Sequence, residues 1–290
     1  MTSSEGFIRA KDGVRLHYRS VGDGRETVVV LLESSLSPDL DALSTGRRVV
    51  YYDPRGRGQS DSVGADSTVG MGHDISDLEA VRDELELGRV ALVGWSYYGG
   101  VVSRYAARYS ERVSRVVQVA PLPARRVPYF DQGIATVMAR LDQGHMSDVK
   151  TLAREVAGGV GSPSAICEAW MKAIAPAYLA SAESLGRMRA RPCAYANENP
   201  LALTPMLGRL WQDLGDWDWR SEIAEMKAPR LVVLPENDFQ AAAGTEEWAV
   251  GHSVSVVRIP AAGHMVWLDS PDALFDSINT FLDDQQRRRP

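Results

Sequence analysis

Short aliphatic runs recur along the first half of the chain, at residues 28–32, 47–52, 89–93 and 113–120. Runs of that length with little polar alternation predict strands covered on both faces, as in a parallel sheet flanked by helices. Between them, Ile75, Leu78, Val81, Leu85 and Leu87 recur at helical spacing, and residues 101–110 repeat the pattern. The N-terminus differs. Residues 7–10 and 14–18 alternate apolar and polar side chains around Lys11-Asp12-Gly13, which predicts an antiparallel hairpin at a sheet edge, with His17 half-exposed in mid-strand. Residues 121–220 lose the alternation and read as helical, with stretches at 138–141, 149–156, 167–179 and 206–214. Strand pattern returns at 229–234 and 254–259, a helix is expected over 245–250, and another over 270–282. The expected architecture is an α/β core of residues 1–120 and 221–290, a mostly parallel sheet with the hairpin at its edge, and a helical cap inserted at 121–220.

The chain has 290 residues, of which 44% are hydrophobic, enough for one large α/β domain with an insertion. Its net charge of -6 argues against a nucleic-acid partner, because neutralising a phosphate backbone needs a basic face. The three arginines at 287–289 read as a solvated tail. Cys167 and Cys193 alone imply no disulfide framework and fit a reducing compartment. The polar N-terminus lacks a signal-peptide core and no stretch is long enough to span a bilayer. A cytoplasmic protein with no membrane partner is expected; its oligomeric state is left open.

The chemistry concentrates where the aliphatic run at 89–93 ends abruptly in Gly94-Trp95-Ser96-Tyr97-Tyr98-Gly99-Gly100. A strand, a tight turn and a helix in direct succession raise a serine above the sheet edge and aim the next N–H at a developing oxyanion. Ser96 is the candidate nucleophile and Tyr97 N–H a candidate donor. This segment resembles the nucleophile elbow of the α/β-hydrolase family. So does Asp53-Pro54-Arg55-Gly56-Arg57-Gly58-Gln59-Ser60-Asp61, which is similar to that family's Asp-x-Arg-Gly-x-Gly-x-Ser-Asp loop. Asp53 and Arg55 are expected to hold that turn rather than to react. No Gly-Lys-Ser/Thr follows its glycines, so nucleotide binding is disfavoured.

The resemblance implies a triad. His264 stands after the strand at 254–259, behind a glycine, and Asp238 follows the strand at 229–234, with Glu236 as its rival. The order Ser96, Asp238, His264 is the one expected of the fold. Two departures stand out. Tyr98 occupies the place of the elbow's second glycine, so the helix is expected to start one residue late or to be displaced. The loop Glu33-Ser34-Ser35-Leu36-Ser37-Pro38 lacks the family's oxyanion glycines, so a main-chain N–H of Ser34 or Ser35 must serve, alongside or instead of capping a short helix at 38–44. His73, Asp74 and Asp77 read as helix-start capping and dipole chemistry, and no metal is assigned. His145 and His252 fit no catalytic loop.

The segment 210–220 resembles the end of the cap in proline-iminopeptidase-like hydrolases, whose cap carboxylates bind a free amine; Glu168, Glu183 or Glu198 are the residues available. Trp211, Trp217 and Trp219 are expected to pack cap onto core, with Trp95, Tyr98, Trp211, Trp217 and Glu198 as candidate pocket residues. The expected activity is hydrolysis of an ester or amide of a small molecule or short peptide through an acyl-enzyme on Ser96, with no metal or organic cofactor. Two alternatives stay open: acyl transfer or cyclisation on the same triad, and ligand binding without catalysis.

Overall fold

The computed structural model describes residues 2–64, 69–251 and 253–284. His252 and the arginines at 287–289 lie outside them. The strands are β1 (Ser3–Arg9), β2 (Arg15–Val21), β3 (Thr27–Leu31), β4 (Arg48–Tyr52), β5 (Val90–Trp95), β6 (Val113–Val119), β7 (Arg230–Pro235) and β8 (Val254–Ile259). They form one sheet in the order β1-β2-β4-β3-β5-β6-β7-β8. The β1–β2 hairpin is antiparallel and β2 also pairs antiparallel with β4; every other pairing is parallel. Val28 to Leu31 and Val90 to Leu92 are fully buried, which explains why both faces of these strands are aliphatic.

The α-helices are α1 (Glu33–Leu36), α2 (Met71–Glu84), α3 (Tyr97–Arg108), α4 (Tyr129–Arg140), α5 (Gln143–Ala157), α6 (Pro163–Tyr178), α7 (Pro200–Leu214), α8 (Arg220–Ala224), α9 (Ala242–Glu246), α10 (Val266–Asp269) and α11 (Pro271–Asp283). Short 3-10 turns complete the segment between β6 and β7, in which the described residues form no strand of the sheet. None of the described helices is long and apolar enough to cross a membrane.

Two expectations are corrected here. His17 is buried, not half-exposed: its N–H donates to Ser60 Oγ at 2.9 Å, and its Nδ1 lies 2.7 Å from Glu33 Oε2. Burial opposes a charge on this imidazole, but the Glu33 carboxylate outweighs it and raises the group above its ordinary range.

Cys167 and Cys193 form a disulfide joining α6 to the 3-10 turn Pro192–Ala194. Cysteine usage therefore gives no argument for a reducing compartment. Across a sequence separation of 26, chain-entropy reasoning assigns the bridge about 3.5 kcal/mol. Paired Cys167→Ser and Cys193→Ser substitutions should lower hydrogen-exchange protection in α6 by that order. Protection in the strands should change little, since the bridge closes a loop within the helical segment.

Candidate active site

β5 delivers the chain to a sharp turn in which Ser96 has φ 55 and ψ -123, a left-handed conformation that costs a side-chain-bearing residue about 1–3 kcal/mol. The fold enforces it: Ser96 N–H donates to Val119 O at 3.0 Å, and its carbonyl accepts from Gly99 at 3.0 Å and Leu122 at 3.2 Å. Gly94 is required by the same turn, because a Cβ there would sit 2.2 Å from Tyr98 O. The helix α3 starts at Tyr97, directly after Ser96, so it is neither late nor displaced. Tyr98 fits because its side chain is buried toward the loop after β4, where its Oη receives a long contact of 3.4 Å from Arg57 Nη1. As the first residue of α3, Tyr97 has a main-chain N–H with no intrahelical acceptor.

On the loop after β3, Leu32 takes the left-handed conformation, φ 77 and ψ 62, that a glycine would adopt freely. Ser34 and Ser35 lie inside α1 rather than capping a helix at 38–44. The structure distinguishes them. Ser34 N–H donates to Asp53 Oδ1 at 2.8 Å, whereas Ser35 N–H makes only a 3.3 Å turn contact to Leu32 O, and Ser35 lines the cavity that contains Ser96. Ser34 is thus corrected as an oxyanion candidate, and Ser35 remains.

His264, in the loop after β8, is buried, and its Nδ1 lies 2.9 Å and 3.1 Å from the two carboxylate oxygens of Asp238, which follows β7. Asp238 Oδ1 also accepts from Gln240 N–H at 3.1 Å, and the rival Glu236 is exposed. The imidazole is walled by Trp95, Tyr178 and Phe239, with ring centroids 5.1, 5.2 and 4.4 Å away. Trp95 Nε1 donates to the His264 carbonyl at 2.9 Å. Among the described residues His264 Nε2 has no hydrogen-bond partner, so the contact with Ser96 Oγ is open in this structure. In unliganded sites such contacts commonly tighten only when substrate binds.

Ser96 opens onto a cavity of about 220 Å3. Of the expected pocket residues, Trp95, Tyr98, Trp211 and Glu198 line it. Trp217 does not: it packs between Phe130 and Trp219 and donates from Nε1 to Pro123 O at 3.1 Å, so its role is confined to the core. The helical segment supplies further lining that the sequence reading did not single out. Cys167, Trp170, Met171, Ile174 and Tyr178 on α6, and Leu203, Leu207 and Leu210 beside Trp211 on α7, line the cavity. Their spacing of three or four residues is the signal that marks one face of each helix. Trp267 and Met265 close the cavity near His264.

The charged residues on this wall are Glu198 and its partner Arg57. Its Nε and Nη2 donate to Glu198 at 3.0 Å and 2.7 Å. Gly58 N–H and Ser34 Oγ donate to the same carboxylate at 2.9 Å and 3.1 Å. Burial opposes the Glu198 charge, but Arg57 outweighs it and holds the carboxyl below its usual range. The neighbouring Asn197 donates from Nδ2 to Gly58 O at 3.1 Å and Ser60 O at 2.8 Å, so these two residues fix the helical segment to the core loop. Glu168 and Glu183 are exposed and line no part of this cavity.

Below the elbow, Asp53 accepts from Ser34 and Gln59 main-chain N–H groups, and Arg55 donates to Asp77 and Asp12, which makes both residues architectural. Desolvation pushes Asp53 up to about 6. Among the described residues, His17, Glu33 and Asp53 are the group whose ligand atoms, within 4.8 Å of one another, have metal-site spacing. Their oxygens and imidazole are already engaged, His17 with Glu33 and Asp53 with two N–H donors.

Gly70, not His73, is the N-cap of α2, and Asp74 is more than a helix-start acid. It lies within the first turn of α2, buried, and accepts from Tyr97 Oη at 2.6 Å. Desolvation pushes it up to about 7, only partly offset by that hydrogen bond. A carboxyl raised in the folded state contributes stability at low pH that is lost as pH rises through its folded pKa. The swing from 3.8 to about 7 is worth on the order of 4 kcal/mol. Asp74→Asn keeps an acceptor for Tyr97 and should flatten the fall in melting temperature between about pH 4 and 7, the interval between the unfolded and folded values, which thermal unfolding across that range would measure.

With the geometry in hand, the comparison with known proteins fixes the class. A family model described as the alpha/beta hydrolase family matches residues 29–277, and the chain belongs to that family. It is 35% identical over 127 residues to a non-heme haloperoxidase of Rhodococcus erythropolis, covering 40% of this chain and 44% of that protein. It is likewise 35% identical over 129 residues to a bifunctional esterase/perhydrolase of Acinetobacter calcoaceticus, covering 41% and 45%. These matches span less than half the length of either relative. An esterase from Exiguobacterium antarcticum has the same fold, with a TM-score of 0.70 at 18% identity over 96% of this chain and 98% of that one. The curated relatives of this α/β-hydrolase family member thus include esterase-like and other hydrolases.

Proposed function

We propose that this protein is a serine hydrolase that cleaves an ester of a small, largely apolar acyl group through an acyl-enzyme on Ser96. The observation that carries this reading is the Asp238 carboxylate at 2.9 Å from His264 Nδ1, with Nε2 left unpartnered beside the elbow that holds Ser96. Ser96 Oγ attacks the acyl carbon and passes its proton to Nε2, while Asp238 keeps the Nδ1 proton in place and stabilises the imidazolium. The N–H groups of Tyr97 and Ser35 receive the oxyanion, each such donor being worth about 3 kcal/mol. His264 returns the proton to the leaving group, then activates water to release the acyl group.

An ester fits better than the N-terminal residue of a peptide. Binding a free amine needs an uncommitted carboxylate, and Glu198 already accepts from Arg57, Gly58 and Ser34. Incubation with a fluorophosphonate probe should label Ser96 stoichiometrically, identified by peptide mass spectrometry. An unlabelled native protein, alongside a labelled control hydrolase, would refute the reading. Product analysis with added amines or hydrogen peroxide tests whether water is the acceptor; a dominant amide or peracid product would replace hydrolysis by acyl transfer.

A further inference from the structure

One position on the cavity wall is unlike its neighbours. Arg57, with its partner Glu198, stands among mainly aliphatic and aromatic side chains, and its guanidinium is only partly used: Nε and Nη2 are taken by Glu198, while Nη1 has one long contact, 3.4 Å, to Tyr98 Oη. A hydrogen bond that long leaves donor capacity on Nη1. The phenol of Tyr98 accepts that contact and keeps its own proton to donate. Two donors therefore stand together on a mainly apolar wall that they share with Ser96, Ser35 and Glu198.

The charge balance says what they can receive. Arg57 and Glu198 are both buried and neutralise each other, and the Glu198 carboxylate already takes four donors. A bound carboxylate would add an uncompensated negative charge in a low-dielectric cavity, with Glu198 and Asp53 nearby, at considerable cost. A neutral carbonyl oxygen adds none, and leaving the donors unmet by a purely aliphatic chain forfeits their desolvation.

We propose that Arg57 Nη1 and Tyr98 Oη form an acceptor-binding subsite that selects substrates whose acyl group is neutral, mainly apolar and carries one ketone-like carbonyl beyond the scissile bond. The inference rests on Ser96 being the acylated residue. Arg57 also anchors the helical segment through Glu198, so a fall in rate in an Arg57 variant says nothing alone. The reporter must be a preference measured within each variant.

The test compares kcat/KM for p-nitrophenyl hexanoate, its 4-oxo and 5-oxo derivatives and the anionic p-nitrophenyl half-ester of adipic acid, in wild type, Arg57→Lys and Tyr98→Phe. Wild type should favour the better oxo ester over hexanoate by about tenfold, the size of one good hydrogen bond, and should turn over the anionic ester least. Both variants should bring the oxo-to-plain ratio to within about threefold. Tyr98→Phe leaves the Arg57–Glu198 pair in place, so it keeps the test valid if Arg57→Lys fails to fold. A wild-type ratio near one, a ratio unchanged in Tyr98→Phe, or preference for the adipate ester would overturn the subsite. Turnover of plain ester and labelling of Ser96 with no oxo preference sinks the subsite alone. If neither labelling nor turnover occurs, the serine reading fails separately. The subsite is then judged by quenching of tryptophan fluorescence, since Trp95, Trp170, Trp211 and Trp267 line the cavity: 2-octanone must bind about tenfold tighter than n-octane, the size of one good hydrogen bond, and lose that margin in Tyr98→Phe, while octanoate binds more weakly than 2-octanone in both; equal affinities for 2-octanone and n-octane would refute it.

Discussion

Replacing Ser96 by alanine should lower kcat/KM for a p-nitrophenyl ester by roughly 10⁴-fold or more and abolish fluorophosphonate labelling, because the covalent route disappears while binding survives. Replacing it by glycine should be equally inactive but more stable. The backbone at residue 96 is held at φ 55 and ψ -123 by hydrogen bonds to Val119, Gly99 and Leu122, and this conformation costs any residue with a Cβ. Relief of about 1 kcal/mol should raise the melting temperature of Ser96→Gly by about 2 °C relative to Ser96→Ala. Comparing the two variants separates the hydroxyl from the turn: rate reports the first, melting temperature the second. Turnover by Ser96→Ala at the wild-type level would remove the serine from the chemistry.

The parts of this site that could be read from the sequence are those encoded locally. Each strand of the parallel sheet is an aliphatic run, and Ser96, Asp238 and His264 each follow one, so their chain positions alone suggested convergence. The glycine-bearing loop at 53–61 was equally legible. What escaped was pairing across distance. Glu198 is a solvated carboxylate by default, and only folding shows that it meets Arg57, 141 residues away. His17 looked half-exposed because its strand alternates, yet Ser60 and Glu33 cover it from other loops. The two cysteines gave no sign that α6 and the turn at Pro192–Ala194 lie side by side. The serines of the oxyanion loop were indistinguishable until Asp53 was seen to occupy one of their N–H groups. The aromatic stretch at 210–220 divided for the same reason: Trp211 turns to the cavity, while Trp217 stacks on Trp219 with an interplanar angle of 19°.

The second large effect is expected at Asp238. Its carboxylate accepts the Nδ1 proton of His264, which leaves Nε2 as the basic nitrogen. In Asp238→Asn the side-chain amide can present its NH2 to Nδ1, which favours the tautomer protonated on Nε2, and that nitrogen can no longer take the proton of Ser96. The volume hardly changes, so the walls formed by Trp95, Tyr178 and Phe239 should hold the ring where it is. We expect kcat to fall by about 10⁴-fold with little change in KM or melting temperature, the effect being electronic rather than structural. Glu236→Gln, two residues earlier on an exposed side chain, should leave kcat within about twofold. Steady-state kinetics of the two variants measured side by side decides between the carboxylates: a large loss at residue 236 with a small one at 238 would move the orienting acid to the end of β7 and dissolve the triad as drawn.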